Sequence, residues 1–116
     1  MHELPVMQSI LGIVLRHALM HGVKRVHSIS LDVGELSDLE EEWMQKYFDH
    51  LSRGTVAEGA RLKVRWVKAV LVCDGCSTRF ELDRNRSEPP ACPGCGGTRL
   101  SLASGREYHI KDMEAE

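Results

Sequence analysis

Apolar residues first recur along this chain with the period of a helix and then switch to the period of a strand. Val6, Met7, Ile10, Ile13, Val14 and Ala18 fall on one face at about 100° per residue, which predicts an amphipathic helix over 5–21. Pro5 suits its first turn, where a missing N–H costs nothing, and Gly22 suits its C-terminal stop. His27, Ile29, Leu31 and Val33 alternate with Ser28, Ser30 and Asp32, predicting a half-buried strand over 25–33 that ends at Gly34. Ser37-Asp38-Leu39-Glu40 reads as a capping box. The helix it opens carries Leu39, Trp43, Met44, Tyr47, Phe48 and Leu51 on one face, with Glu41, Glu42, Gln45 and Asp49 on the wet face. Gly54 ends it, and residues 55–60 form a loop.

The second half is more broken. Leu62, Val64 and Trp66 alternate with Lys63, Arg65 and Val67, predicting a long strand that runs on towards Cys73. Residues 78–82 and 99–102 suit short strands. The stretch Arg84-Asn85-Arg86-Ser87-Glu88-Pro89-Pro90 between them is polar and proline-rich, hence a loop. Beyond Gly105, Tyr108 and Ile110 alternate with His109, Lys111 and Met113 in a terminal strand that returns to the first sheet. The segment before it is then an insertion between two neighbouring strands.

That insertion holds all four cysteines, as Cys73-Asp74-Gly75-Cys76 and Cys92-Pro93-Gly94-Cys95. Each C-x2-C pair places two thiolates on one turn, and two such turns facing each other make a tetrahedral sulfur cage that suits Zn2+. Gly75 and Gly94 are small where the chain must curl around a metal. Disulfides would need an oxidising compartment, and no signal peptide opens the chain. A redox dithiol would need a helix behind it, which Gly96-Gly97 after Cys95 disfavours. A closed four-cysteine site has no open position for water; it shapes the segment and does not catalyse. The expected fold is α+β: two helices on a small three-stranded sheet, with an inserted zinc-ribbon domain at 71–103 between 1–70 and 104–116.

Charge and motif content narrow the function. A net charge of −2 leaves no electrostatic footprint for nucleic acid. From 73 to 102, Arg79, Arg84, Arg86 and Arg99 are balanced by Asp74, Glu81, Asp83 and Glu88, and Phe80 is the one aromatic. No apolar run is long enough to span a bilayer. There is no nucleophile elbow, catalytic triad pattern or phosphate-cradling glycine loop. His17 and His21 are spaced i, i+4 without the HExxH pattern, because Ala18 follows His17, and read as histidines at the edge of the core. The amino terminus offers more. The Met1 α-amine, the His2 amide and imidazole, and the amide or carboxylate of Glu3 can reach one ion, and such nitrogen-rich sets suit Ni(II) or Cu(II).

Met1-His2-Glu3, the helix with its Gly22 stop, Val33-Gly34-Glu35-Leu36-Ser37, Thr55-Val56-Ala57-Glu58-Gly59-Ala60, the two C-x2-C pairs and Ile110-Lys111-Asp112-Met113-Glu114 together resemble the hydrogenase nickel incorporation proteins of the HypA/HybF family. The resemblance covers essentially the whole chain. It implies a metallochaperone and not an enzyme. Ni2+ would be cargo at Met1, His2 and Glu3, with His2 the main ligand, and Cys73, Cys76, Cys92 and Cys95 would hold a structural zinc. It further implies a protein, monomer or dimer, that passes nickel, with a HypB-type GTPase, to the NiFe-hydrogenase large subunit, and in some organisms serves urease alongside a urease accessory protein; the cysteine argument above places it in the cytoplasm. Ser77 and Gly96 stand beside the cysteine pairs where some relatives carry histidine. The residues alone leave a second reading open, a zinc-ribbon scaffold or adaptor module without metal cargo.

Overall fold

A computed structural model describes residues 2–83, 85 and 88–116. Part of the polar linker at 84–90, and Met1 with its amine, therefore lie outside the described residues. The elements run α1 (Glu3–Met20), β1 (Val26–Gly34), α2 (Glu41–Leu51), β2 (Arg61–Val67), β3 (Val70–Cys73), β4 (Arg79–Glu81), β5 (Leu100–Ser104) and β6 (Tyr108–Ala115). Among the described residues two three-stranded sheets result, ordered β2-β1-β6 and β4-β3-β5. The chain divides into two compact units: Met1–Asp32, Asp38–Arg65 and Tyr108–Glu116 form one, and Val33–Ser37 with Trp66–Glu107 form the other.

In the first unit, α1 starts two residues earlier than its periodicity predicts. The His2 carbonyl accepts from the Val6 N–H at 3.4 Å, so Pro5 occupies a position where no donor is missed. At the far end Gly22 takes φ +65°, and the Val23 N–H reaches back to the Ala18 carbonyl at 2.9 Å, closing the helix with a Schellman turn. The buried stripe is Glu3, Met7, Ile10, Leu11, Val14 and Ala18. Leu11 therefore replaces Ile13, which is 49% exposed. The apolar arc of this helix is wider than the arc its neighbours cover, and periodicity alone does not say which flank stays wet.

The capping box at 37–40 does not form. Asp38 sits at φ +64°, which interrupts any helix there, and the Ser37 hydroxyl is buried without a partner among the described residues. The second helix begins at Glu41, with Glu40 as an N-cap whose own side chain caps nothing. Its buried stripe narrows to Met44 and Phe48, while Trp43 lies outside, stacked near Tyr47 and under the Lys46 ammonium. Gln45 leaves the wet face. Its amide donates to the Ala60 carbonyl at 3.2 Å and accepts from the Leu62 N–H at 2.9 Å, tying α2 to the start of β2. The loop before β2 is a stack of turns, in which the Thr55 hydroxyl accepts from the Ala57 N–H at 3.1 Å. Ala57 and Ala60 are fully buried there. With Ile29, Leu31, Met7 and Ile10 these residues form the core, each large apolar side chain contributing about 1.5–3 kcal/mol by its burial.

Asp32 on β1 sits in a charged cluster that spans the sheet. Arg65 on β2 forks onto Asp32 at 2.8 and 2.9 Å, and His109 Nε2 on β6 lies 3.2 Å from the same carboxylate. The Asp32 side chain is only 7% exposed beneath them. Since β1 is the middle strand, Asp32 links both of its neighbours. This order corrects the expectation that β2 and the terminal strand are neighbours: each pairs with β1 instead.

The long strand expected to run from Leu62 towards Cys73 is two strands in two sheets. In the second unit the break falls at Lys68-Ala69. The Ala69 N–H is taken by the Glu35 carboxylate at 2.7 Å, not by a strand partner. A Cβ on Gly105 would sit 2.5 Å from Ala69 Cα, and a Cβ on Gly34 would run into the Gly105 carbonyl. Glycine lets these three backbones cross. Hydrogen bonds from Gly34 N–H to Glu107 O at 2.7 Å and Leu36 N–H to Gly105 O at 2.6 Å fasten the crossing.

Candidate metal centres

The strands of the second sheet carry the cysteines. Register β3–β4 pairs Val72 with Arg79, and β3–β5 pairs Cys73 with Leu100, so each strand delivers the chain to a turn. The two C-x2-C turns are built alike. The Ser77 N–H bonds the Cys73 carbonyl at 2.8 Å, and the Gly96 N–H bonds the Cys92 carbonyl at 2.8 Å. The Cys73 N–H reaches Thr78 O at 2.9 Å, and the Cys92 N–H reaches Gly97 O at 2.9 Å. Ser77 and Gly96 both take positive φ, at 65° and 75°. This correspondence between Ser77 and Gly96 is invisible in residue type, although their shared place after the second cysteine could have suggested it.

The turns bring all four sulfurs within 4.8 Å of one another. Cys73 and Cys95 are 3.6 Å apart and Cys76 and Cys92 3.4 Å, without a disulfide. A tetrahedron of sulfurs at the Zn–S distance has edges of about 3.8 Å, so the set fits Zn2+ with little adjustment. Gly94 and Gly97 line it, and a Cβ on either would stand 3.3–3.8 Å from cysteine sulfurs.

The electrostatics point the same way. The Thr78 hydroxyl, 3.0 Å from Cys76 Sγ, lowers that thiol's pKa. Backbone N–H groups of Cys95 and Gly94 bring Cys92 down to about 6 against its burial. The Gly97 N–H favours the Cys95 thiolate, yet the three neighbouring sulfurs outweigh it and push Cys95 up to about 12. Four sulfurs this close resist full ionisation on their own, and a central dication removes that conflict. In donor set and shape the four-cysteine cluster fits a structural zinc.

The residues of the amino-terminal set are placed differently from one another. His2 is exposed at the N-cap of α1. Glu3 is 4% exposed, and its carboxylate accepts the Glu40 N–H at 3.0 Å. Burial raises the Glu3 pKa, but hydrogen bonds to the carboxylate, that of Glu40 among them, outweigh it and hold the pKa below the usual value. Nothing in the sequence signals this contact, which spans 37 residues.

Two of the remaining histidines lie against carboxylates. His27 pairs with Glu116 at 3.2 Å, and His109, expected as an ordinary strand residue, pairs with Asp32. His17 and His21 do not border the core as expected. Both are exposed, with ring centroids 4.2 Å apart. No helix among the described residues is long and apolar enough to cross a membrane.

Comparison with known proteins covers nearly the whole chain. Residues 1–115 match the family model described as "Hydrogenase/urease nickel incorporation, metallochaperone, hypA". The hydrogenase maturation factor HypA of Paracoccus denitrificans is 39% identical over 114 residues, covering 98% of each chain. The hydrogenase maturation factor HybF of Morganella morganii is 35% identical over 116 residues, covering all of both chains. The solution structure of the Ni metallochaperone HypA from Helicobacter pylori superposes with a TM-score of 0.71 at 22% identity, covering 99% of this chain and 97% of that one. A second solution structure of a HypA protein gives 0.77, also at 22% identity, over 99% and 96% of the chains.

Proposed function

The chain belongs to the HypA family of nickel incorporation metallochaperones, and from that premise we propose that it carries Ni(II) at its amino terminus and delivers it during hydrogenase maturation. The observation that carries this reading is the contrast between His2 and Glu3. The imidazole is open to solvent, while the next side chain is buried and engaged. A ligand set at a helix start has a further advantage. The first N–H groups of a helix have no intrahelical acceptor, so a metal can replace the protons on the His2 and Glu3 amides without breaking the helix. The Met1 amine, the two amide nitrogens and the His2 imidazole then supply four nitrogens, a set that favours planar Ni(II). In this reading Glu3 contributes its amide, because its carboxylate already serves Glu40.

The division of labour follows from the two metals. Zinc in a closed sulfur cage is held for shape. Nickel on an open terminus can be reached by a receiving protein and removed by stepwise ligand exchange. That receiver is a GTPase of the HypB type and then the hydrogenase large subunit, with urease a second destination in some settings. The deciding experiment is titration of untagged, zinc-loaded protein with Ni(II), read by absorption and by metal content. Wild type should take up nickel with a planar spectrum, and His2→Ala should lose that spectrum while keeping zinc and fold. Nickel bound equally well by His2→Ala, or bound only at the expense of zinc, rejects the terminal site and leaves a zinc-ribbon module without cargo.

A further inference from the structure

We propose that His17 and His21 form a second divalent-metal site on the last turn of α1, separate from both the terminus and the cysteine cage. The two residues stand one helical turn apart, and their ring centroids are 4.2 Å apart with the planes tilted by 42°. Small side-chain rotations then let one nitrogen from each ring meet a shared ion, the arrangement by which i, i+4 histidines chelate metals.

What sets the pair apart from His50, likewise exposed in the last turn of α2, is the second ring 4.2 Å away, and three observations favour an ion there. Both rings are exposed, on a turn whose Leu19 and Met20 are 85% and 74% exposed, so an ion and its water shell can reach them. Neither ring has a carboxylate or hydrogen-bond partner among the described residues, whereas His27 and His109 are each held by one. The pair also lies at the negative end of the α1 dipole, where a dication is favoured.

The chemistry selects a borderline late-transition ion, Ni(II), Cu(II) or Zn(II), for which neutral imidazole is a good ligand. With two protein ligands the other coordination positions stay with water. The ion is therefore held more weakly than by an amine–amide–imidazole set, and Ni(II) here is six-coordinate and paramagnetic, not planar. Fifteen residues of helix put His17 about 22 Å along the axis from His2, so one ion cannot serve both sites. The site exists whether or not the terminus binds nickel.

The test is calorimetric titration of untagged, full-length, zinc-loaded protein with Ni(II), alongside histidine side-chain NMR. Wild type should show a weak equivalent, with paramagnetic broadening that starts at His17 and His21 before His50 and His109. H17Q/H21Q should lose that equivalent with unchanged helix content, and His2→Ala should retain it. A weak equivalent that persists in H17Q/H21Q, broadening that in His2→Ala begins at a histidine other than His17 and His21, or no weak equivalent in wild type overturns the proposal. A failure of the terminal reading looks different: His2→Ala would leave the tight, planar nickel signal unchanged.

Discussion

The carboxylate of Glu3 holds the backbone N–H of Glu40 at 3.0 Å, so the first residue of α1 closes the start of α2. In a capping box a glutamate inside the same helix makes this bond. Here it comes from 37 residues away. The contact fixes the backbone immediately behind the exposed His2, so the proposed nickel ligands hang from a rigid mount.

Glu3→Ala should leave the Glu40 N–H unsatisfied and cost about 1–3 kcal/mol of stability. Glu3→Gln keeps an acceptor oxygen and should cost less. If Glu3 binds nickel through its amide, both variants should retain most nickel affinity. Denaturant unfolding paired with nickel titration checks this, and loss of nickel from an otherwise stable Glu3→Gln would move the carboxylate into the ligand set.

Gly34→Ala should be among the more damaging single methyl additions. The new Cβ meets the Gly105 backbone, which cannot rotate away as a side chain can. The expected cost is about 1–3 kcal/mol or more, as for other overpacked positions. Thermal unfolding is the measurement, and an unchanged midpoint would show that the crossing of Gly34, Gly105 and Ala69 is looser than described.

The Asp32 carboxyl is held below its ordinary 3.8, first by the Arg65 guanidinium that forks onto it. A carboxyl with a lower pKa folded than unfolded adds stability above its unfolded value and loses it as pH falls through the folded one. Below about pH 4, wild type should therefore lose stability more steeply than Asp32→Asn. Unfolding free energies measured across that range test the sign. Parallel profiles would mean that the Arg65 fork adds nothing in solution.

Removing zinc should abolish structure in the ribbon and spare the helices. Structural zinc contributes about 10–16 kcal/mol in small zinc-folded peptides, as much as a whole domain's net stability. Strong chelation, or Cys92→Ser, should collapse the amide dispersion of residues 70–104 while the ellipticity of α1 and α2 persists. Joint loss of both signals would show that the two units do not fold independently.

What could be read in advance was local. The C-x2-C spacing pointed to the sulfur cluster, and the periods over 5–21 and 25–33 pointed to the first helix and first strand, because each signal lies within a few residues of its cause. What could not be read was set from afar. The inward turn of Glu3 depends on Glu40, and the end of β2 depends on Glu35 taking the Ala69 N–H from 34 residues away. The late start of α2 follows from one backbone angle at Asp38, a residue that a capping box would also accept. Gln45 looked like a solvated helix residue because its neighbours in sequence are, yet its amide fastens β2. The division of the terminal residues into an open His2 imidazole and an occupied Glu3 carboxylate likewise needed coordinates.

Among the described residues the sheet ordered β2-β1-β6 has β2 and β6 at its margins, where another chain's strand can add on. Arg61 and Lys63 are exposed on one marginal strand and Lys111, Asp112 and Glu114 on the other, with Lys63 reaching Glu114 at 2.8 Å. A strand arriving at either side would have to strip water from that row of charges. Neutralising those charges should therefore let copies of the chain associate edge to edge, which light scattering would register.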